Sequence, residues 1–161
     1  MSQLQSPQRR RINVRAIIYK DGKILAVKHK SKDGSEAAYY CVPGGGLDPH
    51  ESLVDGAARE ILEETGITPE IGRLLFIQQF LSQREGYSEE LELFFEVKNA
   101  TDFECIDLAC TTHGKDELAV CEFVDPSSVL LLPKFISSID IDSYINGAKP
   151  TFIIDNFSET L

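Results

Sequence analysis

The chain is a series of short β-rich runs interrupted by one strongly amphipathic stretch. Residues 12–30 predict a β-hairpin, because two β-rich runs flank Asp21-Gly22, a dipeptide suited to a tight turn with positive φ. A polar loop is expected over residues 31–37 and a short strand over residues 39–42. Pro43-Gly44-Gly45-Gly46 then predicts a flexible corner of the backbone.

A helix is predicted between Ser52 and Gly66. Ser52 is the expected N-cap, with Asp55 in the reciprocal capping position three residues later. Gly66 is the expected end, since glycine tolerates positive φ. The apolar side of this helix is expected to comprise Leu53, Val54, Ala57, Ala58, Ile61 and Leu62.

The β pattern returns after the helix. A short helical turn is expected at Asp125-Pro126 and a C-terminal helix from Pro133 to about residue 145. Strands broken by one central and one terminal helix predict an α/β (α+β) fold with a mixed sheet packed between helices. The further strands are expected over residues 71–83, 91–97, 117–124 and 151–157.

Length and charge narrow the function classes. The 161 residues fit one domain, expected over residues 12–161 after a polar tail over residues 1–11. A net charge of -10 argues against broad binding of nucleic acid polymers and is compatible with an enzyme that meets anionic ligands through a metal ion. The chain shows neither a secretory signal nor an apolar run of about 20 residues, so a cytoplasmic protein without membrane association is expected.

Two smaller features have ordinary interpretations. The run Arg9-Arg10-Arg11 is expected to be a solvated patch, with phosphate contact as the alternative. None of the four cysteines lies in a CxxC pair, so a zinc site is not expected, and the thiols are expected to be reduced and mostly buried.

Three acidic residues share one side of the predicted helix. Glu60, Glu63 and Glu64 lie at spacings of three and four, where like charges repel, and Arg59 is the only cation inside the helix. They also lie in its C-terminal half, where the helix dipole disfavours anions. A solvated helix face is one interpretation. The other is a site for Mg²⁺ or Mn²⁺, which favour carboxylate oxygens.

The residues around these acids resemble the signature of the Nudix hydrolase family. The stretch GGLDPHESLVDGAAREILEETGI, residues 45–67, matches the Nudix box GX5EX7REUXEEXGU, in which U is aliphatic, at every fixed position. The similarity extends more loosely over roughly residues 12–145. It implies an α/β/α sandwich that uses Mg²⁺ or Mn²⁺ to hydrolyse a nucleoside diphosphate linked to another moiety, X.

The resemblance also assigns roles to residues. It implies that Glu60, Glu63 and Glu64 are metal ligands, that Glu60 is a candidate general base, and that Arg59 holds these carboxylates in place. A backbone carbonyl of Gly44 or Gly45 is a further candidate ligand. The remaining box residues are expected to support the geometry of the loops: Gly45, Glu51 and Gly66.

Family members also take a metal ligand or a base from a loop outside the box. Glu117, before a β run, is the expected outer carboxylate, with Asp116 as the runner-up. The alternative is that both are ordinary acids of a hairpin loop, and His113 nearby is expected to be an exposed loop residue. Whether Glu60 or Glu117 is the general base stays open.

The substrate is narrowed only by exclusion. The family's markers for ADP-ribose, dinucleoside polyphosphates and NADH do not match, which leaves nucleoside triphosphates or related nucleotides. Cys41 occupies a region where many members carry Trp, so the stacking candidates are Phe80, Tyr39, Tyr40 and Tyr87. The sequence does not rank the basic candidates for phosphate contact: Arg15, Lys28, Lys30, Arg73 and Arg84.

A second function class is compatible with the same fold. A Nudix-fold module could bind a nucleotide without cutting it, but such a module would be expected to lose box carboxylates, and all are present. Dimers are frequent in the family, which suggests a homodimer.

Overall fold

A computed structural model describes residues 9–147 and 149–157 of the chain. Its α-helices are α1 (Leu53–Thr65), α2 (Gly114–Glu117) and α3 (Ile141–Ile145), and 3₁₀ segments cover Ala100–Glu104, Leu108–Cys110 and Lys134–Ser138. Its strands are β1 (Arg10–Ile17), β2 (Tyr19–Lys20), β3 (Lys23–His29), β4 (Tyr40–Cys41), β5 (Gly44–Gly46), β6 (Ile71–Leu81), β7 (Glu89–Val97), β8 (Leu118–Val124), β9 (Leu131–Leu132) and β10 (Phe152–Asn156).

The strands form two sheets. The first has the order β10-β6-β7-β1-β5, in which β1 runs parallel to β7 and β10 parallel to β6, while the other pairs are antiparallel. The second has the order β2-β3-β4-β9, and β8 also pairs with β3. The predicted α/β fold with a mixed sheet is therefore confirmed.

Both faces of the first sheet are covered. On one face, Ala57 of α1 packs with Val14 and Leu93. Ile61 of α1 packs in a neighbouring cluster with Ala16. On the other face, Phe76 forms edge-to-face ring pairs with Phe94 and with Phe135. These rings lie in the core beneath the second sheet and the C-terminal segments. Strand β1 therefore lies between α1 and the second sheet, and this packing positions the site described below.

The predicted tight turn is present, but the hairpin is shorter than expected. Asp21 and Gly22 have φ values of 49° and 80°, as the turn requires, and they join β2 to β3. The expectation that residues 12–30 form one hairpin is wrong, since β1 lies in the other sheet. The chain crosses between sheets at Ile18, whose carbonyl accepts the backbone N–H of Leu25.

Three further expectations need correction. The corner at residues 43–46 is largely ordered as strand β5, because Gly44–Gly46 pair with β1. Asp125 begins a turn, in which its carboxylate accepts the backbone N–H of Ser127, but this turn does not continue into a helix. The C-terminal helix is two short segments, because Ile139 is extended and Asp140 caps a new helix.

Helix α1 has the predicted ends but a different buried face. The hydroxyl of Ser52 accepts the backbone N–H of Asp55, and Gly66 ends the helix with φ 75°. Val54 and Leu62 are exposed, contrary to the predicted apolar side. The buried residues are Gly56, Ala57, Ile61, Glu64 and Thr65.

The remaining predictions concern the N-terminal boundary of the domain, membrane-spanning segments and the cysteines. Strand β1 begins at Arg10, and residues 1–8 lie outside the described residues, so the boundary between tail and domain stays a prediction. Every helix of the described residues is too short or too polar to cross a membrane. All four cysteines are free thiols, but Cys105 and Cys110 are exposed, so the expectation of mostly buried thiols is wrong for these two.

Candidate active site

Strand β5 brings backbone next to the acidic helix. Gly44 and Gly45 pair with Arg15 and Val14 of β1, and the backbone N–H of Gly44 donates to Glu64 on α1. A Cβ at Gly45 would overlap the carboxylate of Glu60. Glycine at position 45 therefore allows this carboxylate to lie against the backbone, which is a physical reason for the first fixed position of the box.

Arg59 binds several carboxylates at once. Its Nε donates to Glu51 Oε1 at 2.8 Å and its Nη2 to Glu51 Oε2 at 2.9 Å, a two-point contact that fits the planar guanidinium. Its Nη1 donates to Glu60 Oε1 at 2.8 Å and to Glu63 Oε2 at 3.2 Å. The contact from Arg59 and the N–H of Asp48 lower the pKa of Glu51 to about 2, which keeps Glu51 ionised.

Glu64 is buried in contact with β5. Its side chain is on the core side of α1, and the residue is 3% exposed. Its Oε2 accepts the backbone N–H of Gly44 at 2.9 Å. Burial raises the pKa of Glu64 to about 8, against the effect of the hydrogen bond from Gly44 and of the positive charge on Arg15. A cation placed beside this carboxylate would favour its ionised form.

The segment before β8 packs on the C-terminal end of α1. The backbone N–H of His113 donates to the carbonyl of Glu63 at 3.0 Å. The missing side chain of Gly114 allows close approach, since a Cβ there would overlap the carbonyl of Glu64. Helix α2 ends at Glu117, whose carbonyl accepts the N–H of Lys30. Glu117 thus ends a helical turn that packs on α1 and lies just before a strand, as expected, although β8 begins at Leu118, one residue later than the predicted bound.

The predicted carboxylates are not all on one side. Glu60, Glu64 and Glu117 line a single cavity of about 280 Å³ together with the backbone of Gly44–Gly46. Glu63 lies outside this lining and contacts Arg59 and the Nδ1 of His113, the latter at 3.1 Å. Within residues 9–147 and 149–157, no three His, Cys, Asp or Glu side chains form a ready-made metal cluster. Asp116 and His113 do not line the cavity either.

Basic residues line the same cavity as the acids. Arg11, Arg15 and Arg84 line the same cavity, so the structure separates Arg15 and Arg84 from the other basic candidates. Lys28 pairs with Glu36, and Lys30 donates to the carbonyl of Lys115. Arg73 donates to backbone carbonyls near the C-terminal helix, including that of Tyr144.

Arg15 is fixed between β5 and β7. Its Nη1 donates to the carbonyl of Gly44 at 2.8 Å, while its Nε and Nη2 contact Glu92 Oε1 at 3.0 and 2.9 Å. Burial has the largest single effect and lowers the pKa of Arg15, but Glu92, Cys41 and Glu64 together outweigh it, so the pKa is raised. The positive charge of Arg15 is therefore permanent. Burial, and then Arg15, lower the pKa of His29, which lines the cavity beside it.

The sequence did not indicate Asn13 and His29, and it gave phosphate contact for Arg11 only as an alternative, yet all three line this cavity. The signal was in the strand pattern. In β1, Arg11, Asn13 and Arg15 occupy alternate positions in register with β7, on the face where apolar Ile17 packs in the core. Polar residues that continue a buried face indicate a site rather than a core.

Comparison with known proteins identifies the family of the chain. The family model described as "NUDIX domain" matches residues 9–141. The protein named "Phosphatase NudJ" from Escherichia coli strain K12 is 27% identical over 152 residues, covering 91% of this chain and 92% of the relative.

Solved structures show the same fold. The MutT NUDIX hydrolase from Burkholderia pseudomallei matches with a TM-score of 0.62 and 22% identity, covering 81% of this chain and 96% of that one. The ORF135 protein of E. coli matches with a TM-score of 0.63 and 23% identity, covering 89% and 95%.

Proposed function

This chain belongs to the Nudix family and is a Nudix hydrolase, and from that premise we propose that it cleaves the diphosphate linkage of nucleoside diphosphate–X compounds with Mg²⁺ or Mn²⁺. The proposed substrate class is a nucleoside triphosphate or related nucleotide. One observation carries the proposal: three carboxylates, of Glu60, Glu64 and Glu117, and three arginines line one cavity. Such a cavity suits a metal ion and a polyphosphate together.

The residues present fit a hard divalent cation. Glu60, Glu64 and Glu117 offer carboxylate oxygens, and the backbone of Gly44–Gly46 lies in the same lining. Glu63 stays a proposed ligand. Its Oε2 and the Oε1 of Glu60 both accept from Arg59 Nη1, so Glu63 is close to the proposed metal site. A bound cation would polarise a phosphoryl oxygen and lower the pKa of a water molecule.

The side chains then divide the remaining work. Arg59, neutralised by Glu51, would keep Glu60 in one orientation, ready to take a proton from the attacking water. Arg15, Arg11 and Arg84 would contact the phosphate oxygens and balance their charge. We propose Glu60 as the general base and Glu117 as the outer carboxylate.

A substrate panel tests the proposal. Hydrolysis would be measured with Mg²⁺ and Mn²⁺ over nucleoside triphosphates, ADP-ribose, NADH, dinucleoside polyphosphates and nucleotide sugars, with Glu60→Gln as the blank. Activity on one class that disappears in the variant supports the proposal and identifies X. A folded protein that binds nucleotides but cleaves none of the panel would favour the binding-module alternative instead.

Divalent metal is expected to raise the melting temperature of the protein. The cation would bind the folded acidic site and relieve repulsion among its carboxylates, so millimolar Mg²⁺ or Mn²⁺ stabilises the native state by mass action. Differential scanning fluorimetry against EDTA measures the shift, with Glu64→Gln as the comparison. An identical shift in both proteins would place the responsible metal elsewhere on the chain.

Glu117→Gln is expected to impair turnover less than Glu60→Gln does. Glu117 reaches the cavity from the end of α2, whereas Glu60 is oriented by Arg59 against the backbone at Gly45. Loss of a carboxylate that supports a metal site is expected to reduce turnover roughly 10- to 100-fold in Glu117→Gln. Values of kcat and KM for both variants decide the comparison. An equal or larger loss at Glu117 would move the base to the outer segment.

A further inference from the structure

A second cavity adjoins the acidic one. It measures about 230 Å³ and shares Arg15, His29 and Arg84 with the acidic cavity, so one extended ligand could occupy both. Of the stacking candidates, Phe80 and Tyr39 line it. Tyr40 instead donates to Glu122, and Tyr87 lies beneath the guanidinium of Arg11. A cavity with aromatic walls beside a phosphate site suits a flat heterocycle.

Gln78 is the unexplained polar group of this cavity. It lies on β6, is 2% exposed, and its Oε1 has no hydrogen-bond partner among the described residues. It also lines the cavity. Because the two ends of a carboxamide are interchangeable by rotation, Gln78 can present either a donor or an acceptor to a ligand. A buried amide without its partner is costly unless something binds it.

Glu92 stands beside Gln78 on the adjacent strand. The two residues are paired in the register of β6 and β7, which places their side chains next to each other on the same face. Arg15 takes only Oε1 of Glu92 in the hydrogen bonds of the described residues. The other carboxylate oxygen, Oε2, is therefore an available acceptor in the lining of the cavity.

We propose that this cavity selects a guanine base, an inference that rests on the proposed function and names its substrate as a guanine nucleotide. Guanine presents a carbonyl next to two N–H donors on its pairing edge. With its carboxamide turned so that Nε2 occupies the unpartnered position, Gln78 would donate to O6. Oε2 of Glu92 would accept from both N1–H and the 2-amino group through its two lone pairs. Phe80 and Tyr39 would contact the faces of the ring, as aromatic residues do for bases in other pockets.

The other bases fit this pair of side chains less well. Adenine and cytosine place a ring nitrogen with a lone pair next to their amino group, where the carboxylate of Glu92 would be repelled. Uracil has a single N–H between two carbonyls, so one carbonyl oxygen would face Glu92. Hypoxanthine retains O6 and N1–H but lacks the 2-amino group, so it isolates the contribution of that group.

Binding of nucleoside monophosphates tests the inference separately from hydrolysis, because they have a base but no diphosphate linkage to cut. Titration calorimetry in EDTA would compare GMP, IMP, AMP, CMP and UMP. GMP is expected to bind at least about 10-fold more tightly than AMP, CMP and UMP, with IMP in between. Equal binding of all five within threefold, tighter binding of another base, or no GMP binding at millimolar concentration would overturn the inference, even if the panel shows hydrolysis.

A matched pair of variants locates the selectivity. Gln78→Met keeps the length of the side chain and removes the amide, so the preference for GMP should fall at least about fivefold. Gln79→Met is the control, since residue 79 lies on the same strand and outside the cavity lining. An unchanged preference in Gln78→Met, or an equal loss in Gln79→Met, would show that Gln78 does not read the base.

Discussion

Replacing Glu64 by glutamine is expected to reduce kcat/KM by roughly 10³-fold or more, the scale seen when a member of a catalytic unit is removed. Glu64 is buried, and its Oε2 is fixed by the N–H of Gly44. Glutamine keeps that hydrogen bond and the side-chain volume but cannot supply a negative charge to a cation. Steady-state kinetics at saturating Mg²⁺ measures the loss.

The same variant is expected to fold at least as well as the natural protein without metal. Burial raises the pKa of Glu64 to about 8 in the folded state, against its ordinary value of 4.5. As pH rises through this window, the unfolded chain loses this proton first, so Glu64 lowers the stability of the metal-free protein from about pH 4.5 to 8. Glutamine has no proton to lose and removes that dependence.

Urea unfolding in EDTA at pH 5 and pH 8 measures this stability. Glu96→Gln is a suitable control for both experiments, because Glu96 is a half-buried carboxylate paired with Arg73, outside the cavity lining. A Glu64→Gln protein that retained natural turnover would remove Glu64 from the proposed site.

Replacing Glu60 by glutamine is the other change with a large expected effect, again roughly 10³-fold in turnover. The side chain is placed by Arg59 Nη1 at 2.8 Å and by close approach to Gly45. Glutamine preserves the shape but is neither a charged ligand nor a base. The loss should appear mainly in kcat, since the proposed role of Glu60 is to accept a proton during the reaction.

A loss of turnover in Glu60→Gln can be assigned to Glu60 only if the contacts of Arg59 are otherwise unchanged. Circular dichroism and the melting temperature in EDTA should resemble those of the natural protein, because Arg59 keeps its two-point contact with Glu51. Glu70→Gln, a change at an exposed position before β6, is the surface control and should leave turnover unchanged. A Glu60→Gln protein with near-natural kcat would contradict its proposed role and direct attention to Glu117.

The local features that the sequence predicted well were set by short-range chemistry. Ser52 and Gly66 define the ends of α1 through their own hydrogen bonding and backbone preference, and Asp21-Gly22 defines its turn in the same way. The resemblance also implied that Arg59 holds neighbouring carboxylates, and Arg59 does contact Glu60 and Glu63. Its two-point contact with Glu51 was not predicted.

Features set by packing between distant segments were less accessible. The three acids of α1 looked equivalent in the sequence. In the structure, Glu64 is buried against β5, whereas Glu63 contacts His113, so the acids lie in different environments. The C-terminal helix was overestimated because Asp140 acts as an N-cap within it. The suggested homodimer and the choice between Mg²⁺ and Mn²⁺ stay predictions.

The choice among basic residues also needed the fold. Arg15 and Arg84 come from different strands and loops, and only the sheet brings them to one cavity with Arg11. Asn13 and Gln78 carried a signal in the sequence, since each is polar at a position where the alternation predicts a buried side chain. Their meaning depended on which faces of the two strands coincide.

The most direct test of the central claim is hydrolysis of the best panel substrate as a function of Mg²⁺ concentration, with the natural protein and Glu64→Gln side by side. We expect no turnover in EDTA, a saturable rise with Mg²⁺ in the natural protein, and a flat response in the variant. Turnover in EDTA, or the same rise in both proteins, would contradict a metal-dependent reaction at this site.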